Sequence, residues 1–245
     1  MAAGRFVRMM PASIPYCGSA PMPGDWLSQW NLDPVLLGVL LLAGWWASRR
    51  NASPQMWLAL GGLAILFLSP LCALSSALFW VRVAHHVVLT AVIAPLLISV
   101  MPRRMGGAWL WAAGHALVFW FWHAPDAYAA ALSSSLLFWM MQLSLLLSAC
   151  ALWAAVSRAS GPVGVAALLA TTLQMGLLGA LLTFAGTPLY VPHYATTITW
   201  GLSPLEDQQL AGLIMWVVGS GLYLGAAMRI GWRWFGAASP IRASA

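Results

Sequence analysis

From Gly161 to Ala185 the chain carries no charged side chain. A helix of that length rises about 1.5 Å per residue and covers the roughly 30 Å of a bilayer's hydrocarbon layer. Comparable apolar stretches follow one another along almost the whole sequence. In lipid no water satisfies the backbone, so each stretch must bond internally as a helix. The composition agrees: 62% of the residues are hydrophobic and 7% charged, where a soluble domain carries about 25% charged. The expected fold is all-α, a polytopic transmembrane bundle with no separate soluble domain.

The apolar stretches predict about seven spans, near residues 33–48, 55–79, 83–101, 107–124, 134–157 and 162–185, with the last running from a polar loop at 186–205 to about 228. Asp33-Pro34 opens the first, and Ser69-Pro70 should bend the second. Pro95 lies inside the third. Residues 1–25, with Arg5, Arg8 and several Pro and Gly, lack the apolar run of a signal peptide and read as a flexible tail. Residues 26–235 form the membrane domain and 236–245 a C-terminal tail.

With seven spans the loops alternate in side, and the arginines sort. Arg49, Arg50, Arg103, Arg104, Arg158, Arg229, Arg233 and Arg242 fall on one side, against Arg82 and the tail residues Arg5 and Arg8. The positive-inside rule then puts the C-terminus in the cytoplasm and the N-terminus outside. The net charge of +6 is thereby explained by orientation and does not point to nucleic acid. Lysine is absent, which excludes a retinal Schiff base. The cysteines Cys17, Cys72 and Cys150 form no C-x-x-C. Cys72 and Cys150 read as small packing residues, and Cys17, in the tail, as a thiol ligand or as nothing.

This topology gathers polar residues at the outer end. His85 and His86 begin the third span, His123 ends the fourth, His193 lies in the 186–205 loop, and Glu206 and Asp207 open the last span. Asp126 lies at the same level, and His115 about two turns deeper. Polar groups at membrane depth are costly and usually face a bundle interior or a functional path. Each also has a structural explanation. Ser203 and Glu206 have capping-box spacing with Pro204 at the first helical position, and Asp207 suits the field of a helix N-terminus.

Imidazoles with carboxylates suit copper or another transition metal, and Met140 and Met141 offer soft thioethers. A haem held by His115 and His86 is an alternative. No G-x-S-x-G, H-E-x-x-H or phosphate loop is present, so hydrolytic chemistry has no support. Gly176-x-x-x-Ala180 and Gly221-x-x-x-Gly225 are candidate close-packing sites.

The chain resembles the CtaG-type cytochrome c oxidase assembly factors over about residues 26–235. The resemblance is carried by Trp30-Asn31-Leu32-Asp33-Pro34, Leu68-Ser69-Pro70-Leu71, His86 with Ala94-Pro95-Leu96-Leu97, and Phe121-Trp122-His123-Ala124-Pro125 with Tyr128. Its most specific part is Leu182-Thr183-Phe184 and Pro188-Leu189-Tyr190 followed by the block from Gly201 to Trp216. It implies a multi-pass protein of the cell inner (plasma) membrane that helps mature a haem–copper oxidase, with oxidase subunits as partners and copper as the metal handled. It implies a chaperone and not an enzyme. By the same resemblance His86, His123, Glu206 and Asp207 are the functional candidates, with His85 and His193 as additional imidazoles. The family pattern has histidine where this chain has Arg82 and Gln142, which implies a divergent member with altered or reduced metal affinity. A haem-binding protein, a copper transporter and a metal-free oxidase scaffold are the competing readings.

Overall fold

The first helix, α1 (Pro34–Arg49), starts where Asp33 accepts hydrogen bonds from the amides of Val35 and Leu36 at 2.7 and 2.9 Å. Proline at the first position costs nothing there, because its missing N–H would be unpaired anyway. The second apolar stretch divides into α2 (Pro54–Leu68) and α3 (Pro70–Ala77), bent by 50°. Pro70 bars Ser69 from helical geometry, and Ser69 is extended, with its hydroxyl capping α3 at the Leu71 amide. The bend expected at Ser69-Pro70 is therefore present. The computed structural model describes residues 15–102 and 106–238; Arg5, Arg8, Arg103, Arg104 and Arg242 lie outside them.

The remaining helices are α4 (Phe79–Leu96), α5 (Ala108–His123), α6 (Pro125–Ser133), α7 (Ser135–Arg158), α8 (Gly161–Phe184) and α9 (Pro204–Gly236). No strand occurs among the described residues. Four helices (α4, α7, α8 and α9) are individually long and apolar enough to cross a membrane, and the bent pair α2–α3 makes five. The difference from the seven spans expected lies in α1 and α5, each 16 residues. At the helical rise such a helix covers about 24 Å, short of a full hydrocarbon layer. The protein is a membrane protein of all-helical fold.

Two spans contain one π-helical segment each, Val88–Ile93 in α4 and Ile214–Gly219 in α9. In α4 the cause is legible. Pro95 has no N–H to offer the carbonyls four and five residues back, so the ladder widens and the Thr90 carbonyl is left over. Trp153 Nε1 donates to it at 2.8 Å and Tyr223 Oη at 3.4 Å, and these two rings stack at 5.1 Å. The proline defect thus pins α4 to α7 and α9.

Helices α8 and α9 cross closely. A Cβ added at Gly179 would lie 2.8 Å from the Gly212 carbonyl oxygen, and one at Gly212 2.6 Å from the Gly179 carbonyl oxygen. These two are the contact glycines. The motifs expected to pack, Gly176-x-x-x-Ala180 and Gly221-x-x-x-Gly225, do so less: Gly176 has ordinary contacts, and Gly221 and Gly225 face open space.

The ends of the bundle differ in chemistry. At one end Arg158 donates to the carbonyls of Pro102 and Met101, Arg50 lies beside Ser99 and Val100, and Gly161 meets Trp234 near Arg233. The other end holds the start of α4, the end of α5, the 185–203 loop and the start of α9. Here Cys17 and Cys72 form a disulfide. Cys17 is therefore neither a free ligand nor part of a loose segment. Asn31 reinforces the join by donating to the Phe67 carbonyl at 3.1 Å.

Candidate functional site

The site is framed by Asp207. Leu78 is extended, which leaves the first amides of α4 without intrahelical acceptors. Asp207 Oδ2 accepts from the Phe79 amide at 2.8 Å and Oδ1 from the Trp80 amide at 3.2 Å. It is a cap supplied from another helix, fully buried. Asp207 is held in place by its own capping box, in which Ser203 Oγ accepts from the Glu206 amide and Glu206 Oε2 from the Ser203 amide. Gln208, also buried, closes the 185–203 loop: Oε1 accepts from the Leu189 amide at 2.7 Å, and Nε2 donates to the Leu182 carbonyl at 3.3 Å.

The loop inserts His193 into this frame. Its Nδ1 donates to the Ala77 carbonyl at 3.2 Å, so Nε2 accepts from the Tyr128 hydroxyl at 2.7 Å. Burial holds the ring neutral, its pKa lowered to about 4. Tyr190 stacks on Phe79 at 3.8 Å and donates to the His123 carbonyl at 2.7 Å. His193 and Asp207 thus spend their polar atoms on backbone and tyrosine partners, while Glu206, with Oε2 on the Ser203 amide, lies on the surface.

His86 and His123 meet inside that frame. Their rings are perpendicular, with centroids 5.7 Å apart, and both are buried. His86 comes from the second turn of α4, and His123 is the last residue of α5, where Pro125 ends the helix. His123 Nδ1 donates to the Phe119 carbonyl at 2.7 Å. That bond fixes the tautomer and leaves Nε2 as a lone pair. His123 Nε2 has no hydrogen-bond partner, nor does His86 Nδ1.

Around the pair lies a shell of further orphans. Both ring nitrogens of His85 are buried without partners, and its ring is 6.1 Å from that of His86. Gln142 Nε2 is 3.5 Å from His86 Nε2, and Gln142 Oε1 has no partner. Arg82, one turn before His86, is fully buried, with no acceptor for its three guanidinium nitrogens. Its guanidinium lies over the Phe138 ring at 5.1 Å. Buried polar atoms are nearly always satisfied by protein, water or a ligand, and five adjoining side chains here carry atoms with no protein partner.

His115 lies deeper on the face of α5 that carries His123, with Phe119 between their rings. Its Nδ1 donates to Ser148 Oγ at 2.9 Å, and its Nε2 is an orphan. Among the described residues no group of three or more His, Cys, Asp or Glu side chains converges as a metal site. What converges is the imidazole pair His86 and His123, with His85 and Gln142 beside it. A neutral imidazole offers one lone-pair nitrogen, so a metal held at this pair would take His123 Nε2 and one nitrogen of His86.

Tyr128 and Tyr190 form part of the frame, and sequence gave no sign of their roles beyond their place in the resemblance. Arg82 stands out in sequence as the stray arginine on the outer side and as a departure from the histidine of the family pattern. Its isolation was the available signal of burial.

A family model described as cytochrome c oxidase caa3 assembly factor matches residues 103–237. The stretch covers α5 to α9, including His123, Gln142, His193, Glu206 and Asp207; α4, with Arg82, His85 and His86, precedes it. No curated protein and no solved structure matches the chain. The match extends over more than half of the sequence, and the chain belongs to the Caa3_CtaG family of cytochrome c oxidase caa3 assembly factors.

Proposed function

We propose that the protein acts as a membrane chaperone of oxidase maturation, holding one copper ion transiently between His86 and His123 before transfer to an oxidase subunit. The observation that carries this reading is the pair of buried, partnerless nitrogens, His86 Nδ1 and His123 Nε2, on rings 5.7 Å apart. In this reading the bundle crosses the cell inner membrane seven times, with the disulfide end outside and the arginine-rich end in the cytoplasm. His85 and Gln142 stand close enough to join the ligand set as copper arrives or leaves. Asp207 caps the helix that carries His86 and His193 docks the 185–203 loop over the frame, while the exposed Glu206 carboxylate lies at the rim, available to a docking partner.

The chain catalyses no bond change in this reading; its contribution is to bind, orient and release. The test is complementation. A strain lacking the gene should recover oxidase activity and oxidase copper with the wild-type protein and neither with His86→Ala/His123→Ala made to the same level in the membrane. Full rescue by the double variant would leave a metal-free scaffold as the function.

A further inference from the structure

A copper ion at His86 faces an obstacle the protein itself provides. Arg82 is one helical turn away on the same face of α4, and a guanidinium is not deprotonated in proteins. Its three nitrogens are buried and have no acceptor. Asp207, the buried acidic side chain of the frame, directs both oxygens to the Phe79 and Trp80 amides and not to a guanidinium ion pair. Tyr128, His85, His86 and His193 are electrostatic neighbours of Arg82, and each is neutral or basic. Tyr128 spends its proton on His193. A permanent cation at membrane depth with no ion-pair partner on its guanidinium nitrogens is costly.

We infer that Arg82 and the adjoining His85 bind one small monovalent anion of the halide class within the bundle. The donors fit: a guanidinium fork that makes no hydrogen bond of normal geometry, with the Tyr128 hydroxyl beside it, and an imidazole whose two ring nitrogens have no partner, one of them necessarily an N–H. Phe138, against the guanidinium, and Phe67, against the His85 ring at 4.9 Å, wall the donors with apolar groups, and all of them are buried, which favours a compact, weakly hydrated anion over a bulky oxyanion. The anion cancels the charge of Arg82. It thereby lets a cation occupy His86 and His123, so the purpose assigned to it rests on the copper reading while its existence does not.

The experiment uses metal-free, full-length protein in lipid nanodiscs. With ³⁶Cl⁻ in a gluconate background, wild type should show one saturable chloride site per chain, and Arg82→Gln none. Chloride should also raise the Tm of wild type by a few degrees over gluconate at equal ionic strength, an effect of the size expected for binding to the folded state alone. Absence of saturable ³⁶Cl⁻ binding to wild type would overturn the proposal even if Arg82→Gln fails to fold. Equal binding by a folded Arg82→Gln protein would overturn it as well. Because copper is absent throughout, failure here leaves the copper reading standing, and failure of the copper reading leaves this result unchanged.

Discussion

Asp207 binds the amides of Phe79 and Trp80 and so joins the first turn of α9 to the first turn of α4. The residue that sequence alone presents as a spare carboxylate beside histidines is the cap of the helix that carries one of them. Asp207→Ala should leave two buried N–H groups unpaired and cost about 2–4 kcal/mol. Asp207→Asn, which keeps one acceptor, should cost about half as much. Thermal unfolding in nanodiscs measures both, and copper bound per folded chain should be unchanged in either.

His193 gives the 185–203 loop a pH dependence. Its pKa in the docked loop is about 4, against 6.5 ordinarily. As pH falls below 6.5 the released loop takes up the proton first, so docking is complete above that value and weakens down to about 4. Each pH unit in that window costs up to about 1.4 kcal/mol. Hydrogen exchange of the loop, corrected for intrinsic rates, should be faster at pH 5 than at pH 7.5, and His193→Gln should abolish the difference.

The α8–α9 crossing depends on two glycines. A Cβ at Gly212 would sit 2.6 Å from the Gly179 carbonyl oxygen and 2.7 Å from the Thr183 amide nitrogen. Backbone cannot yield as a side chain can, so Gly212→Ala should destabilise by about 1–3 kcal/mol or more. Gly221→Ala, with open space around it, should be neutral. Denaturation midpoints of the two variants give the comparison.

The Cys17–Cys72 bond closes a separation of 55 residues. Loop-closure entropy for that length corresponds to about 4 kcal/mol, so Cys17→Ser should lower the unfolding temperature. It should also expose Cys72 to maleimide, whereas native protein should react only after denaturation, through Cys150.

What the sequence discloses is what local chemistry decides. Asp33-Pro34, Ser69-Pro70 and the Ser203/Glu206 capping box act within three or four residues, and the helices start or bend where those residues stand. Pro95 announces a defect in α4, although the partners that resolve it, Trp153 and Tyr223, are more than fifty residues distant. Asp207 on Phe79, His193 under Tyr128 and Cys17 on Cys72 join residues far apart in the chain, and periodicity carries no information about them. Small-residue spacing pointed to Gly176 and Gly221, but the contact falls on Gly179 and Gly212, because a motif gives no helix rotation. The pairing of His86 with His123 was accessible only through topology, which brought the start of one span to the end of the next.

Gln142 occupies a position beside His86 from which an imidazole would reach the same space, since its Nε2 is 3.5 Å from His86 Nε2. Gln142→His should supply a third nitrogen ligand and tighten copper binding by on the order of tenfold, as read by competition with a chromogenic chelator.

The central claim is that His86 and His123 together hold one copper ion, and a copper titration of the purified protein in nanodiscs tests it most directly. Wild type should bind one equivalent, His86→Ala and His123→Ala should each lose it, and both variants should keep the wild-type helical spectrum. One equivalent bound with unchanged affinity by the folded double variant would contradict the assignment.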